Sequence, residues 1–379
     1  MVASSKGVRH SAGFTLVELL VVITIIGALM ALLLPAVIST IGDGRRTFCQ
    51  NNMQNLAKAM LAVESAKGRF PGYAQLVKRS ATKAAGVRHS TTSANWTVIS
   101  VDARNGVPIS WAAMLLPRIE RQDLWDLLHN PKADADLPPV DQEGVLEIRP
   151  IELFVCPSDT DALATADTPA LSYSVNAGAP DWNNATFLAG PNAGDTTNNG
   201  LFLNLYELAA RRIAAPAARV SNIIDGAATT IMLSENCHKS YEPISAGEPA
   251  RFTWLFGTEQ HLGIVWVVNE TPQPGNTIVD QERINRVSDD AYSNDPVFDP
   301  NVPRFARPAS NHVQGVNVVY CDAHSEFLSE NVDYVVYQQL LSAQGRKCVD
   351  PVAHTANLSP GQPIHTFRNA PPLSEADFQ

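Results

Sequence analysis

The sequence predicts an α+β protein: one long N-terminal helix laid on an antiparallel sheet, with further β-rich elaboration. Three observations carry this. A continuous apolar run opens the chain, an apolar stripe at helical spacing follows it, and short β-branched runs alternate with turn-rich stretches from residue 70 onward. The 26 prolines and 22 glycines in 379 residues, mostly after residue 70, favour short strands and loops over a helical bundle.

Composition narrows the class. With 45% hydrophobic and 17% charged residues, the chain has the make-up of a folded protein with a real core. The balance of 28 basic against 38 acidic residues gives a net charge of −10. That argues against nucleic acid as a partner, because phosphate binding needs a basic face.

Residues 1–13 are short and polar, with Lys6 and Arg9 and no acid. They precede the run FTLVELLVVITIIGALMALLLPAV, from Phe14 to Val37, which one charge interrupts, Glu18. About 24 residues rising 1.5 Å each are enough to cross a hydrocarbon core of about 30 Å. Basic residues ahead of the span hold its N-terminus in the cytoplasm and send the rest outward. A cleaved secretory signal fits poorly. Its apolar region is shorter and its small cleavage residue follows that region, whereas Gly13 sits before this one. A plain signal anchor accounts for everything except Glu18, since a carboxylate within a span costs a few kcal/mol and marks a function.

The segment Gly-Phe-Thr-Leu-Val-Glu, Gly13 to Glu18, resembles the prepilin peptidase recognition motif of type IV pilins and type II secretion pseudopilins. The resemblance implies cleavage after Gly13 and N-methylation of Phe14. It implies that Glu18 pairs with the N-terminal amine of a neighbouring pilin-like subunit, a contact that removes the cost of a lone buried charge. Membrane lipid and prepilin peptidase are then the expected partners, beside other pilin-like subunits met through the N-terminal helix. The expected location is the inner membrane, spanned once, with the C-terminal domain periplasmic or surface-exposed. Pro35 falls where pilin helices commonly kink or melt.

After a Gly-Asp-Gly break at Gly42 to Gly44, Cys49, Met53, Leu56, Met60 and Val63 recur at spacings of four and three. This is the stripe of an amphipathic stem helix, ended by Gly68 and Pro71. Arg45 and Arg46 are placed either to meet lipid phosphates or to stand as a solvated pair. The wording RRxxCxNNxxxLxxAxxxxxxxxGxFP resembles the large pilin-like family known as domain-of-unknown-function family 1559. Ser110 to Asp126, Phe154 to Asp159, Ser172 to Gly178, Ile223 to Asn236 and Asn311 to His324 agree with it. The last carries the family's signature of a His, nine residues, then Asp-Gly, here His312 and Asp322 with Ala323 in place of glycine.

The expected organisation is a leader at 1–13, a transmembrane helix at 14–37, a stem at 38–68, a pilin-like globular domain at 69–348 and a poorly ordered tail at 349–379. Helices are expected over Trp111–Leu128, Leu203–Ala215 and Val332–Ala343. Strands are expected in TTIMLSEN, GIVWVVN and GVNVVYC, the last followed by a two-residue turn at Asp322 and Ala323.

Chemistry is sparse. His312, Cys321, Asp322 and His324 resemble a metal cluster but lack paired zinc-ligand spacing, so His312 reads as structural. The acidic stretch Val287 to Asn301 and Asp159 lack the regular spacing of a calcium loop and read as solvated. Ser234 follows a strand with no identifiable base, and no glycine-rich phosphate loop is present. The expectation is therefore no enzyme, no cofactor and no metal. Five cysteines are permitted to pair if the body is exported. Cys49 with Cys156 is one candidate disulfide, pinning the stem to the body. Cys237 with Cys321, each ending an expected strand, is a second, and Cys348 is left over.

Overall fold

In the computed structural model the residues described are 16–78, 106–129, 150–160, 162, 170–178, 196–210, 214–237, 254–255, 262–266, 284–285, 306–348 and 373. Gly13, Phe14, the acidic stretch at 287–301 and almost all of the tail at 349–379 lie outside them. The chain divides into two units, Met1–Arg45 and Arg46–Gln379.

In the first unit the helix α1 begins. It runs as one element over Leu16–Lys67, 52 residues, so the expected break at Gly42 to Gly44 is absent. Two helical glycines cost about 2 kcal/mol together. Interrupting the helix would instead require a second, unfavourable nucleation, so propagation from both sides wins. Over Leu16–Leu34 the helix has a mean hydropathy of 2.8 and buries none of its side chains.

The second unit is built on a five-stranded sheet in the order β5-β3-β4-β6-β7. Its strands are β3 (Tyr173–Gly178), β4 (Ile231–Glu235), β5 (Gly263–Val265), β6 (Gly315–Tyr320) and β7 (Ser325–Ser329). All neighbours are antiparallel except β3 and β5, which run parallel, so the sheet is mixed rather than wholly antiparallel. A separate antiparallel pair joins β1 (Ala74–Lys78) to β2 (Gly106–Ser110).

The two faces of the sheet carry different cores. On one face Cys49, Met53, Leu56, Met60 and Val63 of α1, none more than 3% exposed, share a cluster with Tyr173, Val175, Leu233 and Val319. The three-and-four spacing thus marked the helix side that meets the sheet. At about 1.5–3 kcal/mol per buried apolar side chain, this stripe outweighs any weakness in local helix propensity. On the other face Val316, Val318 and Tyr320 alternate with it and pack on Tyr337, Leu340 and Leu341 of the helix α5, Tyr334–Leu341. Asp333 caps α5, accepting from the backbone N–H of Val335 at 2.8 Å. Arg46 does not stand free: its guanidinium lies 3.8 Å over the ring of Phe327 in β7.

The helix expected over Trp111–Leu128 is split into α2 (Trp111–Leu115), a 3-10 turn at Leu116–Arg118 and α3 (Gln122–His129). Pro117 interrupts the backbone bonding, and Glu120 turns the chain at φ +61°. The helix α4 covers Leu205–Ala210.

Between β6 and β7 the turn is one residue longer than expected. Tyr320 N–H donates to His324 O at 3.0 Å, leaving Cys321, Asp322 and Ala323 as the loop. Ala323 holds the left-handed position at φ +69°, where a three-residue hairpin favours glycine. Ala323→Gly is expected to stabilise the body by about 1 kcal/mol through relief of this strain. Chemical denaturation measures it, and an unchanged or lowered midpoint would contradict it.

Candidate functional site: a buried sulfur, imidazole and carboxylate centre

Cys49 projects from α1 near the start of its packed half, and Cys156 from the turn after a 3-10 element at Glu152–Phe154. The two are joined in a disulfide with Cα atoms 5.1 Å apart, bridging a sequence separation of 107. Asn52, one turn along α1, donates from Nδ2 to Glu152 O at 3.2 Å and to Val155 O at 3.3 Å, so the helix holds the same turn by hydrogen bonds.

Two further groups close on the disulfide. Glu235 ends β4 with its side chain fully buried, and His312, 7% exposed, sits in the turn before β6. His312 Nε2 lies 3.2 Å from Glu235 Oε1. Cys156 Sγ lies 3.5 Å from that same oxygen and 3.8 Å from His312 Nε2. A buried carboxylate needs donors, and Asn317 on the neighbouring strand supplies two. Its backbone N–H donates to Oε2 and its Nδ2 to Oε1, each at 2.9 Å. Tyr173, opposite Glu235 in the β3–β4 register, feels the consequence. Burial first, and the Glu235 carboxylate second, push its phenol well above the ordinary value, so it stays protonated.

The turn that carries His312 is itself fixed. Ser310 Oγ accepts from His312 N–H at 3.0 Å and donates to Gly315 O at 2.7 Å. Asn311 Nδ2 reaches Ser158 O at 2.8 Å, tying this turn to the one that bears Cys156. Asp159 caps the same region, accepting from Ala162 N–H at 3.1 Å and from Ser172 Oγ at 2.7 Å. Asp159 is thus a buried structural carboxylate, not a solvated one.

Other expected site residues are not gathered here. Asp322 lies in the β6–β7 turn, where its Oδ1 accepts from His324 N–H at 3.0 Å and meets His324 Nδ1 at 2.6 Å. His324 stacks on Tyr320 with ring centroids 4.3 Å apart. The signature's two ends therefore serve different places. Cys321, Asp322 and His324 form no metal-holding group with His312, because His312 precedes β6 and the other three follow it.

The expected Cys237–Cys321 disulfide is not formed; both are buried free thiols. Antiparallel pairing explains why. Cys321 N–H bonds Thr230 O at the start of β4, whereas Cys237 follows the end of β4. Two cysteines that each end a strand lie at opposite ends of the pair when those strands are antiparallel, here about 20 Å apart at 3.3 Å per residue. Burial, then the adjacent Asp322, push the Cys321 thiol well above its ordinary value, which makes it unreactive. Ser234 is fully buried, its hydroxyl donating to Glu235 O at 3.2 Å. It is a sheet residue with no access to a substrate.

Glu235 is the member of the centre that sequence reasoning passed over. It stands in the Leu-Ser-Glu-Asn segment already noted, beside a serine that attracts more attention. The available signal was an acid closing a β-rich run that is otherwise uncharged.

Glu18 lies in the exposed first part of α1, one turn ahead of Val22. Residues 8–34 match the model described as the prokaryotic N-terminal methylation motif. A long apolar N-terminal helix bearing that motif, continued into a stem packed on a sheet, defines a type IV pilin-like, prepilin-processed, membrane-anchored protein. Residues 43–334 match the model described as "Protein of unknown function (DUF1559)", and the chain belongs to that family. No curated protein and no solved structure matches the chain.

Proposed function

We propose that this protein is a pseudopilin-like structural or recognition subunit of a type II secretion or type IV pilus-like assembly, and not an enzyme. Prepilin peptidase would cut it after Gly13 and methylate Phe14. The mature chain would then span the inner membrane once, with its body on the periplasmic or outer side. The methylation motif at residues 8–34, running into a helix that buries none of its apolar side chains over Leu16–Leu34, carries this reading. Side chains of that length and hydropathy are unstable in water and need lipid or neighbouring helices. Mass spectrometry of the native protein tests the processing: the expected first residue is N-methylated Phe14, and a chain beginning at Met1 would refute it.

The size of the body favours a second reading, a membrane-anchored binding module that is processed in the same way but does not polymerise. The family match alone spans residues 43–334, a large body for a filament subunit. Glu18 separates the two. Glu18→Ala is expected to abolish self-crosslinking of the N-terminal helices in membranes if subunits assemble, through loss of the carboxylate that pairs with a neighbour's amine. Absence of self-crosslinking already in the unsubstituted protein, with localisation unchanged by Glu18→Ala, would favour the second reading.

A further inference from the structure

We propose that the dithiol form of this protein binds one zinc-type divalent ion through Cys49, Cys156, Glu235 and His312, in a site that the Cys49–Cys156 disulfide closes off. The inference is independent of whether the protein polymerises. Four ligand atoms, one from each of these residues, all lie within 4.8 Å of one another. Two thiolates, an imidazole and a carboxylate are a donor set that suits zinc.

The spacing fits as well as the chemistry. Tetrahedral bonds of about 2.3 Å to sulfur and about 2.0–2.1 Å to nitrogen or oxygen set ligand atoms roughly 3.3–3.8 Å apart. Two of the separations already have such values and a third is within about 0.1 Å of them: 3.5 Å for Cys156 Sγ to Glu235 Oε1, 3.8 Å for Cys156 Sγ to His312 Nε2, and 3.2 Å for His312 Nε2 to that oxygen. The two bonded sulfurs must part, and the Cys49 sulfur stays within 4.8 Å of the other two ligand atoms. The carboxylate is already held by both donors of Asn317 at 2.9 Å, the outer support that a metal ligand needs. A purely structural disulfide requires neither a fully buried glutamate nor a histidine turned onto its sulfur, and burying that carboxylate is costly. A cation arriving between these groups would offset the cost.

The two closures exchange with balanced chemistry. An external disulfide accepts two electrons from the metal-bound cysteine pair through a mixed-disulfide intermediate. The Cys49–Cys156 bond forms, two thiolates of the oxidant leave, and the ion is released. A dithiol reductant with the ion present reverses it. In either state α1 is tied to the turn that carries Cys156, and in the metal state also to β4 and the turn before β6.

The test uses the full chain in detergent, with cobalt as a spectroscopic stand-in for zinc. The protein reduced with a phosphine is expected to take up one Co²⁺ per chain, with thiolate-to-metal charge transfer and tetrahedral visible bands, and to release it on oxidation. His312→Ala and Glu235→Gln are each expected to weaken binding about 100-fold or more, since even lost outer-shell partners cost 10–100-fold. Absence of cobalt uptake by folded, reduced wild-type protein would overturn the proposal without any variant. So would uptake that both substitutions leave unchanged, because the ion would then sit on other thiols.

Discussion

Reduction of the Cys49–Cys156 bond in the presence of a chelator is expected to lower the body's unfolding free energy by about 4–5 kcal/mol. The bridge spans 107 positions, and closing a loop of that size removes a large share of the unfolded chain's freedom. Both sulfurs sit in a fully buried setting, so no compensating hydration is gained when they separate in the folded state. Denaturant titration followed by the fluorescence of the buried Trp111, Trp254 and Trp266 reads the change. A difference under about 1 kcal/mol would mean that the reduced, unfolded chain keeps the stem near the body by itself.

Glu235→Ala should be comparably damaging, at about 3–5 kcal/mol, because each buried donor left unsatisfied costs about 1–3 kcal/mol. It strands the N–H and Nδ2 donors of Asn317 and leaves His312 facing a void. Glu235→Gln keeps the volume and one acceptor oxygen, so a loss of about 1–3 kcal/mol is expected. The ordering of the two variants is the diagnostic. If alanine were tolerated as well as glutamine, the carboxylate would not be organising this end of β4 and β6.

How much of this was legible beforehand depended on whether the determinant was local. The stem was readable because Cys49, Met53, Leu56, Met60 and Val63 repeat at helical spacing, and helical spacing is a short-range property. The strands β4 and β6 were readable for the same reason, from β-branched runs. Glycines 42 and 44 misled, since a low local propensity says nothing about helix propagating in from either side. The buried centre was only half visible. Cys49 and Cys156 stand out as rare residues, but Glu235 and His312 are 79 and 156 positions from Cys156, and nothing in their neighbourhoods announces a shared destination. Strand order decides that, and strand direction separates Cys237 from Cys321, because β4 and β6 are antiparallel neighbours. A list of strand ends cannot tell whether two of them meet or point to opposite ends of the sheet.

The position of the cross-link along α1 has a mechanical meaning. Cys49 follows the Arg46–Phe327 contact by less than one helical turn, near the membrane-side start of the packed half. A pull on the anchor therefore meets a covalent bond before it can peel Met53, Leu56 and Met60 from the sheet one after another. Tension is borne as shear on sulfur, and extraction from the bilayer would drag the whole body along before the stem tore loose.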